Sequence, residues 1–228
     1  MRPDQPPRRL IRAEAVLAAR QRQTTLVLEN AIDPHNISAV LRTCEAFGIQ
    51  DVHVVAGDTA PPDLNPAVTL GAERWLTLHH HDDAVSAIAA LRARGYRLCV
   101  GQLATDATPL FDLPRDVRAA YVIGNERTGV SRAWLDAADA RFLIPTSGFT
   151  GSLNLSVAAA LVVYDRVCVR AATAPGTGDL ADTEKAALRT AWYRTLAHGS
   201  AALTRAFAAH AQDPPAPAPT FPVDRSKT

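Results

Sequence analysis

The sequence predicts an α/β domain with a mainly parallel sheet flanked by helices, and two patterns carry that prediction. Short runs of Val, Ile, Leu and Thr alternate along the chain with longer stretches whose apolar residues recur at helical spacing. Several of the short runs also end directly in polar loops bearing glycine, the layout of ligand-binding loops at the carboxyl edge of an open sheet.

In chain order, 8–22 puts Leu10, Ala13, Val16 and Leu17 on one helical stripe, with Arg8, Arg9, Arg12, Arg20 and Arg22 mostly off it. Thr25–Glu29 (TLVLE) reads as a strand. Residues 36–47 carry Ile37, Val40, Leu41 and Cys44 at helical spacing, with Asn36 able to cap them and Gly48 closing the helix. Asp51–Val55 (DVHVV) is a second strand, and the Pro-, Asp- and Gly-rich stretch 56–66 is a loop. A strand is expected at 75–78 and an Ala-rich helix at 82–94. Further strands follow at 96–103 (YRLCVGQL), 119–124 (AAYVIG) and 141–144. Ser131 is placed to cap a helix over 131–138, and 152–170 forms a long apolar helix. The segment 171–179 has linker composition, and a helix over 183–209 is interrupted near Gly199. The chain thus divides into a basic N-terminal helix (1–23), a main domain (24–170), a helical extension (171–210) and a Pro-rich tail (211–228), disordered or polyproline-like.

With 228 residues, 47% of them hydrophobic and 21% charged, the chain has the composition of a soluble globular protein with a real core. A net charge of only +1 leaves no overall basic field, so nucleic-acid binding would need local patches. Cys44, Cys99 and Cys168 lie far apart without CxxC spacing, which points to free thiols in a reducing compartment and away from zinc. No apolar run approaches the ~20 residues of a membrane span. The opening arginines have no apolar region behind them, so a cytoplasmic protein without a signal peptide is expected. His79, His80 and His81, followed by Asp82 and Asp83, lack the spacing of helical metal ligands and read as a solvated loop; no metal is expected.

Three segments carry more than filler. PHNISAVLRTCEAFG (34–48) contains Asn36 and, mid-helix, Arg42. In YVIGNERTGVS (121–131) a strand runs into Gly124, Glu126 and Gly129, which is neither GxGxxG nor a P-loop. In FLIPTSGFTGSLNLSVAAALVVYD (142–165), Ser152, Asn154 and Ser156 crowd the start of an apolar helix, where one cap needs only one such residue. No GxSxG elbow supports a hydrolase.

In this order and separation the three segments resemble the signature motifs of the SpoU/TrmH family within the SPOUT methyltransferases. The first motif, N-x-[SG]-A-x-x-R-[ST], is matched by Asn36, Ser38, Ala39, Arg42 and Thr43. The second, G-x-E-x-x-G, is matched by Gly124, Glu126 and Gly129. The third is matched by Ile144, Pro145, Gly148, Ser152, Leu153, Asn154, Ser156, Ala158 and Ala160. The resemblance spans about 24–170. It departs at Thr146, where the family often has Met, and at Gly151, where the tRNA enzymes often have Gln.

The resemblance implies a deep C-terminal trefoil knot, a homodimer with shared active sites, and S-adenosylmethionine held by Gln102, Leu103, Gly124, Ile144, Ser152 and Leu153. It implies methyl transfer to an RNA ribose 2′-hydroxyl, with Arg42, Asn36, Glu126, Ser152 and Asn154 as the reacting and positioning groups. Arg42 stays protonated, so its expected role is to grip a phosphate while a phosphate oxygen or water takes the proton. Asn36 would orient the ribose or Arg42, Glu126 would position Arg42 or the partner's loop, and Ser152 with Asn154 would line the pocket. Arg8, Arg9, Arg12, Arg20 and Arg22 are candidate phosphate contacts, as are Arg189, Arg194 and Arg205. The short N-terminal helix resembles the tRNA D-loop guanosine enzymes. Ribosomal RNA stays open as a substrate, and so does a binding protein that has lost catalysis.

Overall fold

A computed structural model describes residues 6–55, 63–173, 178–211 and 213–217. The expected loop at 56–62, linker at 174–177 and tail from 218 onward lie outside the described residues. The chain forms two compact units, one from Arg22–Thr173 and the other from Met1–Gln21 with Ala174–Thr228.

In the larger unit, strands and helices alternate as β1 (Thr24–Glu29), α2 (Pro34–Ala46), β2 (Asp51–Val55), α3 (Pro66–Thr69), β3 (Thr77–His81) and α4 (Ala84–Ala93). There follow β4 (Arg97–Gly101), β5 (Thr108–Pro109), β6 (Ala119–Ile123), α5 (Arg132–Ala137), β7 (Ala140–Leu143) and α6 (Leu155–Thr173). Among the described residues, seven strands make one sheet in the order β3-β2-β1-β6-β4-β7-β5, and every pair in it is parallel.

The two-residue period of a strand fills a core on each face of that sheet. Leu26 and Leu28 of β1 join Tyr121 and Ile123 of β6 beneath Ile37, Val40 and Leu41 of α2 and Ala159, Val162 and Val163 of α6. Val27, Val122 and Val100 point the other way, onto Ala87 and Leu91 of α4 and Trp134 of α5. A sheet covered on both faces explains why its central strands read as nearly unbroken apolar runs.

Several local expectations need correction. Asp33, and not Asn36, caps α2: its carboxylate accepts the His35 N–H at 2.9 Å, and Pro34 takes the first helical position. This leaves the Asn36 amide free for other partners. The strand expected at 75–78 begins at Thr77, after a 3₁₀ turn over Ala72–Trp75. His79–His81 therefore lie in the edge strand β3 and not in a solvated loop. His79 Nε2 is 2.6 Å from Asp51 Oδ1, and His53 of β2 stacks on both His79 and His81. Ser131 stands at the N-cap of α5 as expected, but its hydroxyl donates to the Glu29 carboxylate at 2.6 Å and accepts no helix N–H.

The smaller unit contains α1 (Arg8–Ala19), α7 (Asp182–Ala197) and α8 (Ala201–His210), the last two separated at Gly199, which takes a positive φ. Leu10 and Ala13 of α1 pack with Tyr193, Ala197 and Phe207. Buried Glu14 accepts two hydrogen bonds from Arg189, each 2.8 Å, and one from Tyr193 at 2.7 Å. A charge taken out of water needs such partners.

Candidate functional site

The site forms where three neighbouring strands end. After β4 come Gln102 and Leu103, after β6 the loop Gly124–Val130, and after β7 the segment from Ile144 to Leu155. Together they line a pocket of about 510 Å³ outside the carboxyl edge of the sheet, the region where open α/β sheets bind ligands.

The backbone of the second motif makes one wall. Gly129 N–H donates to the Asn125 carbonyl at 2.8 Å, folding the loop back on itself with Gly129 at φ +67°. A Cβ on Gly124 would collide with the Gly129 carbonyl group, so only glycine fits there. Asn125 anchors the loop to the residue that follows β1, its Nδ2 donating to the Asn30 carbonyl at 2.9 Å.

All six expected cofactor residues, Gln102, Leu103, Gly124, Ile144, Ser152 and Leu153, line this pocket. Ile123, Leu135, Phe142 and Val162 add an apolar bed. The Gln102 Oε1 is buried with no hydrogen-bond partner among the described residues. A buried acceptor left unpaired is costly, and a ligand donor such as an exocyclic amine would satisfy it. The pocket thus suits a flat, partly apolar group with a few polar edges, which fits the adenine portion of S-adenosylmethionine.

The polar groups of the three motifs meet beside it. Asn36 Nδ2 donates to Glu126 Oε1 at 2.7 Å, and Asn36 Oδ1 accepts from Asn154 Nδ2 at 3.0 Å. Asn154 Oδ1 in turn accepts the Ser156 N–H at 2.9 Å and its hydroxyl at 2.6 Å, capping α6. One chain of hydrogen bonds therefore ties α2, the Gly124–Val130 loop and α6 together. Asn36, expected to orient the ribose or Arg42, and Glu126, expected to position Arg42 or the partner's loop, are hydrogen-bonded to one another. Asn154, expected to line the pocket, caps a helix beside it; Ser152 does line it and is exposed. Arg42 is exposed on α2, outside the pocket lining, and no ion pair or hydrogen bond to another described residue holds its guanidinium.

The sequence profile of the SpoU rRNA Methylase family matches residues 23–164. The chain belongs to the SpoU methylase family. This SpoU-family chain is 38% identical over 185 residues to the tRNA (guanosine(18)-2′-O)-methyltransferase of Borreliella burgdorferi, covering 81% of this chain and 84% of that one. Its fold resembles the A. aeolicus TrmH/SpoU tRNA modifying enzyme with a TM-score of 0.76 at 26% identity, over 82% of this chain and 96% of that one. The SpoU methyltransferase AviRb from Streptomyces viridochromogenes, solved with AdoMet, shares the fold at a TM-score of 0.60 and 22% identity, over 68% and 64% of the two chains.

Among the expected RNA contacts of this SpoU methylase, Arg8, Arg9 and Arg12 are exposed. Arg20 is not: it is fully buried, its guanidinium 5.1 Å from the Trp192 ring centroid. Arg22 lies 2.5 Å from Asp51, and Arg189 is engaged by Glu14. Arg194 and Arg205 are exposed. Among the described residues no helix is long and apolar enough to cross a membrane, and no cluster of His, Cys, Asp and Glu is arranged to hold a metal ion. Arg127 and Thr128, which sequence reasoning passed over, also line the pocket; their place inside the second motif was the available signal.

Proposed function

We propose that this chain is an S-adenosylmethionine-dependent RNA ribose 2′-O-methyltransferase whose substrate is tRNA, methylated on a guanosine. The observation that carries the reading is the pocket built by the second and third motifs and linked to the first by the Glu126–Asn36–Asn154 hydrogen bonds. The printed activity of the Borreliella burgdorferi relative supports tRNA as the substrate.

The cofactor, when bound, supplies an electrophilic methyl group on a sulfonium. Backbone groups of the three loops and Gln102 Oε1 would hold it, and the apolar bed would exclude water from it. A ribose hydroxyl is a weak nucleophile at neutral pH, so the protein must orient it and give its proton somewhere to go. Arg42 would grip the adjoining phosphate as a planar, permanently charged fork, leaving a phosphate oxygen or water to accept the proton. The Asn36 clamp fixes α2, and Arg42 lies six residues, about 9 Å, further along that helix.

In the homodimer we propose, Arg42 of one subunit serves the pocket of the other. Two observations support this: Arg42 lies outside its own pocket, and α6 leaves Val157, Leu161 and Tyr164 exposed along one stripe. A trefoil knot is part of the same proposal. In its favour, the chain leaving β7 shares the pocket with the Gly124–Val130 loop and then returns as α6 across α2 and β1. Arg8, Arg9 and Arg12 would meet RNA phosphates, and work on tRNA would place the protein in the cytoplasm.

Labelled methyl groups from S-adenosylmethionine, offered with bulk tRNA or ribosomal RNA, are expected to enter tRNA. Label in ribosomal RNA alone would replace the substrate, and RNA binding without transfer would leave a binding protein.

A further inference from the structure

Resting on the RNA-methyltransferase reading, we infer that Phe149 is the stacking platform for the base of the nucleotide whose ribose is methylated. Between β7 and α6 the chain runs as an irregular loop, and residues on both sides of Phe149 line the pocket: Thr146 before it, Gly151 and Ser152 after it. The Phe149 ring itself is fully exposed. A large apolar ring left in water at the mouth of a pocket forfeits the burial its size would bring, unless something covers it.

The surroundings indicate what covers it. Ser147, Gly148, Thr150 and Gly151 are all exposed and carry hydroxyls, bare backbone or nothing. A protein interface anchor sits among other apolar groups, whereas the chain neighbours of this ring, Ser147, Gly148, Thr150 and Gly151, are all polar or glycine. An isolated aromatic face flanked by hydrogen-bonding groups is how single-stranded RNA bases are held: the ring takes the face and polar groups take the edges. Gly148 and Gly151 have no positive φ, and a Cβ at Gly151 would meet nothing within 4 Å. Neither packing nor backbone geometry demands glycine at 151, and the space beside it is open to a base. Arg127, exposed on the neighbouring wall, is available to the flanking phosphate.

The test compares wild type, Phe149→Ala, Phe149→Leu and Phe149→Trp in methyl transfer to a tRNA transcript, with S-adenosylmethionine affinity and solution mass measured alongside. Stacking predicts that Phe149→Ala raises the KM for tRNA by about 5- to 150-fold, that Phe149→Trp restores it and that Phe149→Leu does not. Cofactor affinity and mass should stay as in wild type. The inference is overturned if Phe149→Ala methylates like wild type, if Phe149→Leu rescues fully, or if the mass changes, which would make Phe149 an interface residue. A wild type that transfers no methyl to any RNA overturns the functional reading itself, and this inference with it.

Discussion

At Gly124 a single methyl group decides whether the pocket exists. Any side chain there meets the Gly129 carbonyl, so the loop would have to open. Gly124→Ala is expected to abolish measurable S-adenosylmethionine binding in a calorimetric titration while the far side of the sheet stays folded. Arg42 makes the opposite prediction. Exposed and outside the pocket lining, it contributes little to folding or cofactor affinity. Arg42→Ala should lower turnover by about 100-fold or more with the melting temperature and cofactor affinity unchanged, and Arg42→Lys should recover only part of the loss. Both residues were legible in the sequence because each sits at a fixed place in a multi-residue motif. The Glu126–Asn36–Asn154 chain was not, because hydrogen bonds across 90 and 118 residues leave no mark on local spacing.

The β2–β3 edge carries its own prediction at the scale of the element. Burial, reinforced by the charges of His79 and His81, holds His53 down to about 3. Burial would raise Asp51, but hydrogen bonding to His79 and the charge of Arg22 leave it below its ordinary value. Unfolded His53 therefore binds a proton that the folded chain refuses between about pH 6.5 and pH 3. The stabilisation is complete above pH 6.5 and is lost as pH falls. Denaturant titrations should show a loss on the order of 3 kcal/mol between pH 7 and pH 4. His53→Val, which suits a buried strand, should flatten that slope; an unchanged slope would mean that His53 is not its source. Sequence reasoning weighed the neighbouring histidines only as metal ligands and, finding no ligand spacing, assigned them to a loop. The edge tolerates them because Asp51 and His53 give His79 and His81 partners and stacking, while His80 is exposed. The central strands were legible for the converse reason: a sheet buried on both faces has no polar alternation to hide its runs.

At the scale of the whole molecule, the alternation of strands and helices gave away the parallel sheet, but not its order. That order depends on β6 inserting between β1 and β4, which no local pattern encodes. The union of α1 with α7 and α8 was equally hidden, since it rests on Glu14 meeting Arg189 and Tyr193 from the far end of the chain. If two copies share active sites, Tyr164→Asp on the exposed stripe of α6 should halve the mass seen by light scattering and abolish turnover. Mixing inactive Arg42→Ala with inactive Gly124→Ala should then restore part of the activity, because one mixed site would hold both an intact pocket and an intact arginine. No recovery on mixing would place Arg42 and its pocket in the same subunit.

Ribose methylation that depends on Arg42 is tested by nucleoside analysis of unmodified tRNA after incubation with S-adenosylmethionine and either wild type or Arg42→Ala. One 2′-O-methylguanosine per tRNA is expected with wild type and a trace with the variant. Methyl groups found on a base, or equal ribose methylation by both proteins, would contradict it.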